Sequence, residues 1–230
     1  GYSYHEFSAF CMNRSERGPK TRESIQLIEK LLTQERVTHT GQFFNVKDAR
    51  LSPKSVQQPA PPIWIGARGP KAIKRAAEMG YHLMATIGPD PAPLYLDTLK
   101  ECGRNPKDYK IAQLRMVYCA ESEDKAWDEC QEHLFHLLEF YQDILSEAND
   151  AEGDDAPLPV SKPEDMRNSV LADHFMIGTP DQVCEKMSQF QNDFNCTDLI
   201  MGTQFPGLAP DKGTEALKLF AEKVMPRFRN

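Results

Sequence analysis

Residues 65 to 71 read Ile65-Gly66-Ala67-Arg68-Gly69-Pro70-Lys71, two glycines and an arginine set between a short apolar run and a helix-like pattern. A glycine-bearing turn between a parallel strand and a helix points main-chain N–H groups outward. The positive end of the helix dipole reinforces them, so an oxyanion such as a phosphate binds there. Arg68 adds the capacity for bidentate contacts. The glycine spacing fits neither a dinucleotide fingerprint nor a Walker loop. A turn that is only tight uses the same two glycines, and spacing leaves both readings open.

Other chemistry-bearing residues are weaker signals. His133, His136 and Glu139 recur at i, i+3 and i+6 on a long helical pattern. The HExxH order is absent, so a solvated or dimer-facing helix is expected there and no metal. Cys11, Cys102, Cys119, Cys130, Cys184 and Cys196 form no CxxC pair and are expected to be reduced and unpaired. Cys119 and Cys184 sit in apolar segments, where a thiol acts as a small buried hydrophobe. The charged residues from Asp124 to Glu132 read as a helix exterior.

The elements that position the turn follow from periodicity. Ile63-Trp64-Ile65 is a strand, and Ala72, Ile73, Ala76 and Ala77 mark the inner face of a helix that stops at Gly80. Tyr81-His82-Leu83-Met84-Ala85-Thr86 begins a second unit, continued by Gly88-Pro89 and a helix through Leu94, Leu96 and Leu99. A third runs from Lys110 to Ala120 and into a long helix starting near Ser122. The fourth is Asp198-Leu199-Ile200-Met201-Gly202, with a final helix containing Leu217, Phe220, Val224 and Met225. Strand-then-helix units imply a parallel sheet, because parallel neighbours need crossovers. Four are too few to separate a doubly wound sheet from half of a barrel.

Upstream, Ile25, Ile28, Leu31 and Leu32 predict the packed face of a helix over 22–33, and the stretch from Val37 to Phe44 predicts a small hairpin or extended excursion around Gly41. Gln57-Gln58-Pro59-Ala60-Pro61-Pro62 excludes regular helix. Gly178-Thr179-Pro180-Asp181-Gln182 predicts a capping box with proline at the first helical position. Residues 147–162, rich in Asp, Ala and Pro, read as a mobile insertion.

The 230 residues are 40% hydrophobic and 27% charged, a mixture that buries a core rather than staying disordered. With 27 Lys and Arg against 34 Asp and Glu, the net charge is −7. That average field opposes nucleic acid and anionic membranes as partners. No apolar run is long enough to span a bilayer and no secretion signal is present, so a cytoplasmic setting is expected.

Arg22-Glu23, Gly41-Gln42-Phe43-Phe44, Pro59-Ala60-Pro61-Pro62-Ile63-Trp64-Ile65-Gly66, Ala76-Ala77-Glu78-Met79-Gly80, Ile177-Gly178-Thr179-Pro180 and Val224-Met225-Pro226-Arg227-Phe228 occur in this order. Together they resemble the luciferase-like flavin-dependent monooxygenase family, a superfamily spanning bacterial luciferase, alkanesulfonate monooxygenase and deazaflavin-dependent reductases. The resemblance implies an α/β fold, a (β/α)8 TIM barrel, represented here by its second half, strands 5 to 8 and their helices. It implies a single luciferase-like domain over residues 1–230 without strands 1 to 4, as a fragment or as a natural half-barrel paired with another chain.

The resemblance places the cofactor on Gly66, Ala67, Arg68 and Gly69, after the fifth strand, and on Ala85 and Thr86, at the end of the sixth. Loops at strand C-termini are also where barrel sites form. It implies reduced FMN and dioxygen acting on a small organic substrate, with a flavin reductase as the source of reduced flavin and a homodimer as the assembly. Two alternatives are a deazaflavin-dependent hydride transfer and a non-catalytic flavin-binding or partner subunit. No catalytic residue is assigned, since the family draws most of them from the absent strands. Tyr2, Tyr4 and His5 fall in a loop that approaches flavin or substrate in relatives.

Alkanesulfonate-type relatives carry a basic pair two residues apart on the seventh strand. Alignment puts Leu114 and Met116 there, which counts against a sulfonate. Alternation gives the opposite result, because an apolar helix-facing side would turn Gln113 and Arg115 inward and leave Arg115 as a substrate contact.

Overall fold

The computed structural model describes residues 1, 3–86, 90–148 and 160–229, apart from the side chains of 145–148. Tyr2 and most of the 147–162 insertion lie outside the described residues. The chain divides into two compact units, Gly1–Ile63 and Trp64–Asn230. Among the described residues no helix is long and apolar enough to cross a membrane.

In the first unit, Ser3 caps helix α1 (Tyr4–Ala9), its hydroxyl accepting the Glu6 N–H at 3.3 Å. Helix α2 (Arg17–Thr33) is followed by an antiparallel hairpin of β1 (Val37–Thr40) and β2 (Asn45–Ala49). The second arm therefore starts after Phe44, and residues 41–44 form the connection. That connection is held by one carboxylate. Glu23 accepts the N–H groups of Gln42 at 3.0 Å, Phe43 at 3.1 Å and Phe44 at 2.9 Å, and its Oε1 lies 3.2 Å from His39 Nε2. A Cβ at Gly41 would collide with the same carboxylate and would displace it from these N–H groups.

This hub also corrects the expected inner face of α2. Leu27 is the buried residue and Ile28 is 49% exposed. Glu23, Leu27 and Leu31 stand at i, i+4 and i+8. Turning Glu23 toward the hairpin turns that stripe with it.

The second unit is a parallel sheet with helices. Strand β3 (Trp64–Gly66) leads to α3 (Pro70–Met79), β4 (His82–Ala85) to α4 (Ala92–Glu101), and β5 (Ile111–Cys119) to α5 (Glu123–Ala148). Then come β6 (Met176–Gly178), α6 (Pro180–Asp193), β7 (Asp198–Gly202) and α7 (Pro210–Lys223). All pairings are parallel: β3 with β4, β4 with β5, and β5 with both β7 and, at its C-terminal end, β6. Strand β6 has three residues, too few to show an alternation, and is not among the strands that periodicity predicts. The cap itself is as predicted. Gln182 N–H donates to Thr179 Oγ1 at 3.4 Å and Thr179 N–H to Gln182 Oε1 at 2.9 Å. Gly80 ends α3 at φ 74°, a left-handed conformation that suits glycine.

Registration assigns the faces. Ala85, Gln113 and Leu199 are neighbours on one face, as are Met84, Ala112 and Asp198 on the other. The first face meets helices: Val117 and Cys119 pack with Val183 and Cys184 of α6, with Phe220 of α7 and with Val224. Gln113 and Arg115 share that face and are buried, while Met84 and Ile200 on the opposite face are each 37% exposed. The parity expectation is overturned: Gln113 and Arg115 point toward the helices, and Leu114 and Met116 occupy the other side. Past Met116 that side closes too, where Tyr118 joins Trp127, Leu134, Met166, Phe175 and Phe205. On α7, Gly213, Ala216 and Phe220 turn inward, whereas Leu217 is 45% exposed. Deleting the Phe220 ring should cost about 3–5 kcal/mol by cavity formation.

Desolvation pushes the Glu23 carboxyl up, but hydrogen bonds from Phe44, His39, Phe43 and Gln42 outweigh it and hold it below the ordinary carboxylate range. A depressed folded-state pKa contributes stability that is full above the unfolded value and is lost as pH falls through the folded one. Amide exchange at Phe43 and Phe44 should therefore accelerate on acidification below the usual carboxylate range. In Glu23→Gln it should be fast throughout and nearly pH-independent once intrinsic exchange is divided out. Equal protection in both proteins at neutral pH would refute the hub.

Candidate functional site

The predicted turn lies between β3 and α3, and its geometry follows from main-chain pairing. Ala67 N–H donates to Met84 O at 2.9 Å, extending the β3–β4 ladder one residue beyond Gly66. The same bond sets Ala67 beside the end of β4, where Ala85 and Thr86 follow Met84. The six residues named from the sequence thus fall at the C-terminal ends of two paired strands, but not equivalently. Gly66, Arg68, Gly69 and Thr86 are exposed, whereas Ala67 and Ala85 are 8% and 3% exposed. Ala67 has its N–H committed to the sheet and Ala85 its methyl to the core. Gly88 and Pro89, which follow, lie outside the described residues.

Gly69 is the N-cap residue of α3, at φ −79° and ψ 156°, and its carbonyl accepts the N–H groups of Ala72 and Ile73 at 3.0 and 3.1 Å. Pro70 occupies the first helical position and no side chain caps the helix. The helix start thus keeps its positive end uncapped by side chains beside the exposed guanidinium-bearing Arg68.

Neither glycine is demanded by the fold. Gly69 has a backbone conformation open to any residue, and a Cβ there would meet nothing within 4 Å. At Gly66 a Cβ would meet only the Met84 methyl, at 3.7 Å. The tight-turn reading predicts crowding or positive φ at these positions and finds neither. Open space over an uncapped helix start is what a group approaching the main chain requires.

The remaining chemistry-bearing residues do not converge. Among the described residues no group of three or more His, Cys, Asp or Glu is placed to hold a metal. All six cysteines are free thiols, with Cys119, Cys130 and Cys184 buried. Burial pushes the Cys119 thiol up to about 12 and raises Cys130 as well, so neither is a nucleophile at neutral pH. Tyr4 is engaged within its own unit, its hydroxyl accepting from Arg14 Nη1 at 2.7 Å. Tyr118 donates to Glu129 at 2.9 Å, and desolvation followed by that carboxylate raises its pKa. No sequence pattern marked that pair, which joins β5 to α5 across 11 residues.

Residues 1–194 match the family model described as luciferase-like monooxygenase. The chain is similar to the F420-dependent glucose-6-phosphate dehydrogenase of Microbacterium testaceum, 25% identical over 93% of this chain and 62% of that protein. It is similar to the oxygenase component of flavin-dependent trigonelline monooxygenase from Acinetobacter baylyi, 24% identical over 94% of this chain and 62% of that one. The chain thus spans 62% of the length of each of these relatives. Among solved structures, the monooxygenase RslO1 from Streptomyces bottropensis superposes with a TM-score of 0.78 at 21% identity, covering 100% of this chain and 67% of that chain.

Serine at position 69 would supply the hydroxyl cap that α3 lacks. Gly69→Ser should leave the urea-unfolding midpoint unchanged or raise stability by a few tenths of a kcal/mol. A loss above about 1 kcal/mol would mean the fold does need glycine there.

Proposed function

This chain belongs to the luciferase-like monooxygenase family, and from that premise we propose that it serves a flavin-dependent monooxygenase that oxidises a small organic substrate with reduced FMN and dioxygen. In this reading β3, β4, β5 and β7 are strands 5 to 8 of a (β/α)8 barrel. Their order supports it. Sequence neighbours along this series are also spatial neighbours, without the reversal of strand order that marks a doubly wound sheet.

The observation that carries the proposal is the open space around Gly66 and Gly69 over the start of α3. Residues 66–69 would hold the cofactor phosphate, with main-chain N–H groups at the helix start and Arg68 as donors and Thr86 alongside. Ala67 and Ala85 would serve by holding the two segments in register. When bound, the reduced flavin supplies the electrons that activate dioxygen. The contribution of these residues is to fix the position of the group and to keep its phosphate charge neutralised. A separate reductase would provide the reduced flavin.

The similarity to an F420-dependent dehydrogenase supports a second reading, hydride transfer with a reduced deazaflavin at the same phosphate site. Parallel titration of the full-length protein with reduced FMN and with reduced deazaflavin separates the two. Preference for FMN together with substrate-dependent oxygen consumption is the expected result. Tighter deazaflavin binding with no oxygen uptake would favour the alternative.

Arg68→Ala should weaken cofactor binding by about 1.5–3 kcal/mol, roughly ten- to hundredfold, measured by flavin fluorescence titration. Gly69→Ser should also weaken it, because the added hydroxyl takes N–H groups the phosphate would use. Affinity unchanged in both variants would move the phosphate away from this turn.

A further inference from the structure

On the helix-facing side of β5 two polar side chains are sealed away from solvent with their polar atoms unmatched. Gln113 is 0% exposed, and among the described residues neither its Nε2 nor its Oε1 has a hydrogen-bond partner. Arg115, 2% exposed, donates from Nη1 to Leu114 O at 2.9 Å, while its Nη2 has no partner among the described residues. The two residues are i and i+2 on one face of a strand, roughly 7 Å apart along it. Buried polar groups are nearly always satisfied, and an orphaned set points to a bound species.

The charge decides which species. Arg115 forms no ion pair among the described residues, and its guanidinium carbon sits 4.5 Å from the Phe190 ring centre and 5.3 Å from that of Phe194. Aromatic faces offset only part of what a cation loses on leaving water. Asp90 and the Cys196 thiol are within electrostatic reach but not in contact. Burial raises the Cys196 thiol, so it stays neutral and cannot balance the charge. Water alone would satisfy the amide and leave the guanidinium with no anion in contact, Asp90 acting only from a distance.

We propose that Gln113 and Arg115 form a buried site for a small inorganic monoanion of chloride size, enclosed between β5 and α6. The Arg115 Nη2 and Gln113 Nε2 N–H groups would point at the anion, and one water would link it to Gln113 Oε1. The site lies on the side of the sheet away from Leu114 and Met116 and is independent of the cofactor reading. It would act as the counter-ion that lets a cation sit under Phe190 and Phe194 and anchor α6.

Crystals of the protein grown from sodium bromide test the idea directly. An anomalous peak within about 3.5 Å of both Arg115 Nη2 and Gln113 Nε2 is expected. In solution, exchanging gluconate for chloride at equal ionic strength should raise the melting temperature by about 3 °C. Arg115→Met, which keeps bulk against both rings, should abolish the response. If that variant does not fold, Gln113→Met, which keeps the cation, should weaken the chloride response about tenfold. Water density alone at the site, or superimposable chloride and gluconate melts, would overturn the proposal.

Discussion

Strand β5 sets the geometry of the second unit. It pairs with β4 through residues 111–113, with β7 through 112–116 and with β6 through 117–119, so every other strand except β3 takes its register from it. In a strand the side chains alternate with period two, and a slip of one residue would exchange the two faces. Arg115 would then stand among Met84 and Ile200, and Met116 under α6. The main-chain bonds of β5 therefore decide which residues lie on the more open face and which are sealed under the helices.

The same ladder creates the candidate site. One hydrogen bond from Ala67 to Met84 ends the β3–β4 pairing and releases the chain into α3. It places an uncapped helix start beside the end of the next strand. The glycines of the molecule then divide into two kinds. Gly41 leaves room for the Glu23 carboxylate and Gly80 adopts a left-handed φ, whereas a Cβ would be crowded at neither Gly66 nor Gly69.

Glu23 plays for the first unit the part that β5 plays for the second. A carboxylate receiving three consecutive main-chain N–H groups fixes the hairpin connection against α2 and, through it, the rotation of that helix. Glu23 and Gly41-Gln42-Phe43-Phe44 were notable in the sequence only as parts of a family likeness. Their physical relation is a nest of donors closed around one acceptor.

Local signals determined much of this protein. Alternating strand and helix patterns, the Thr179 capping box, the stop at Gly80 and the turn at 66–69 could be read from the chain because each depends on residues within a few positions of one another. Tertiary structure alone decided which side of β5 the helices cover, that Leu27 and not Ile28 is buried, and that Met176–Gly178 is a strand. Period two defines two faces without saying which will be covered, and the polar pair Gln113 and Arg115 looked like a lumen pair for that reason. Both are buried on the helix-facing side, and over Arg115 α6 brings Phe190 and Phe194, contacts made between residues more than 70 positions apart.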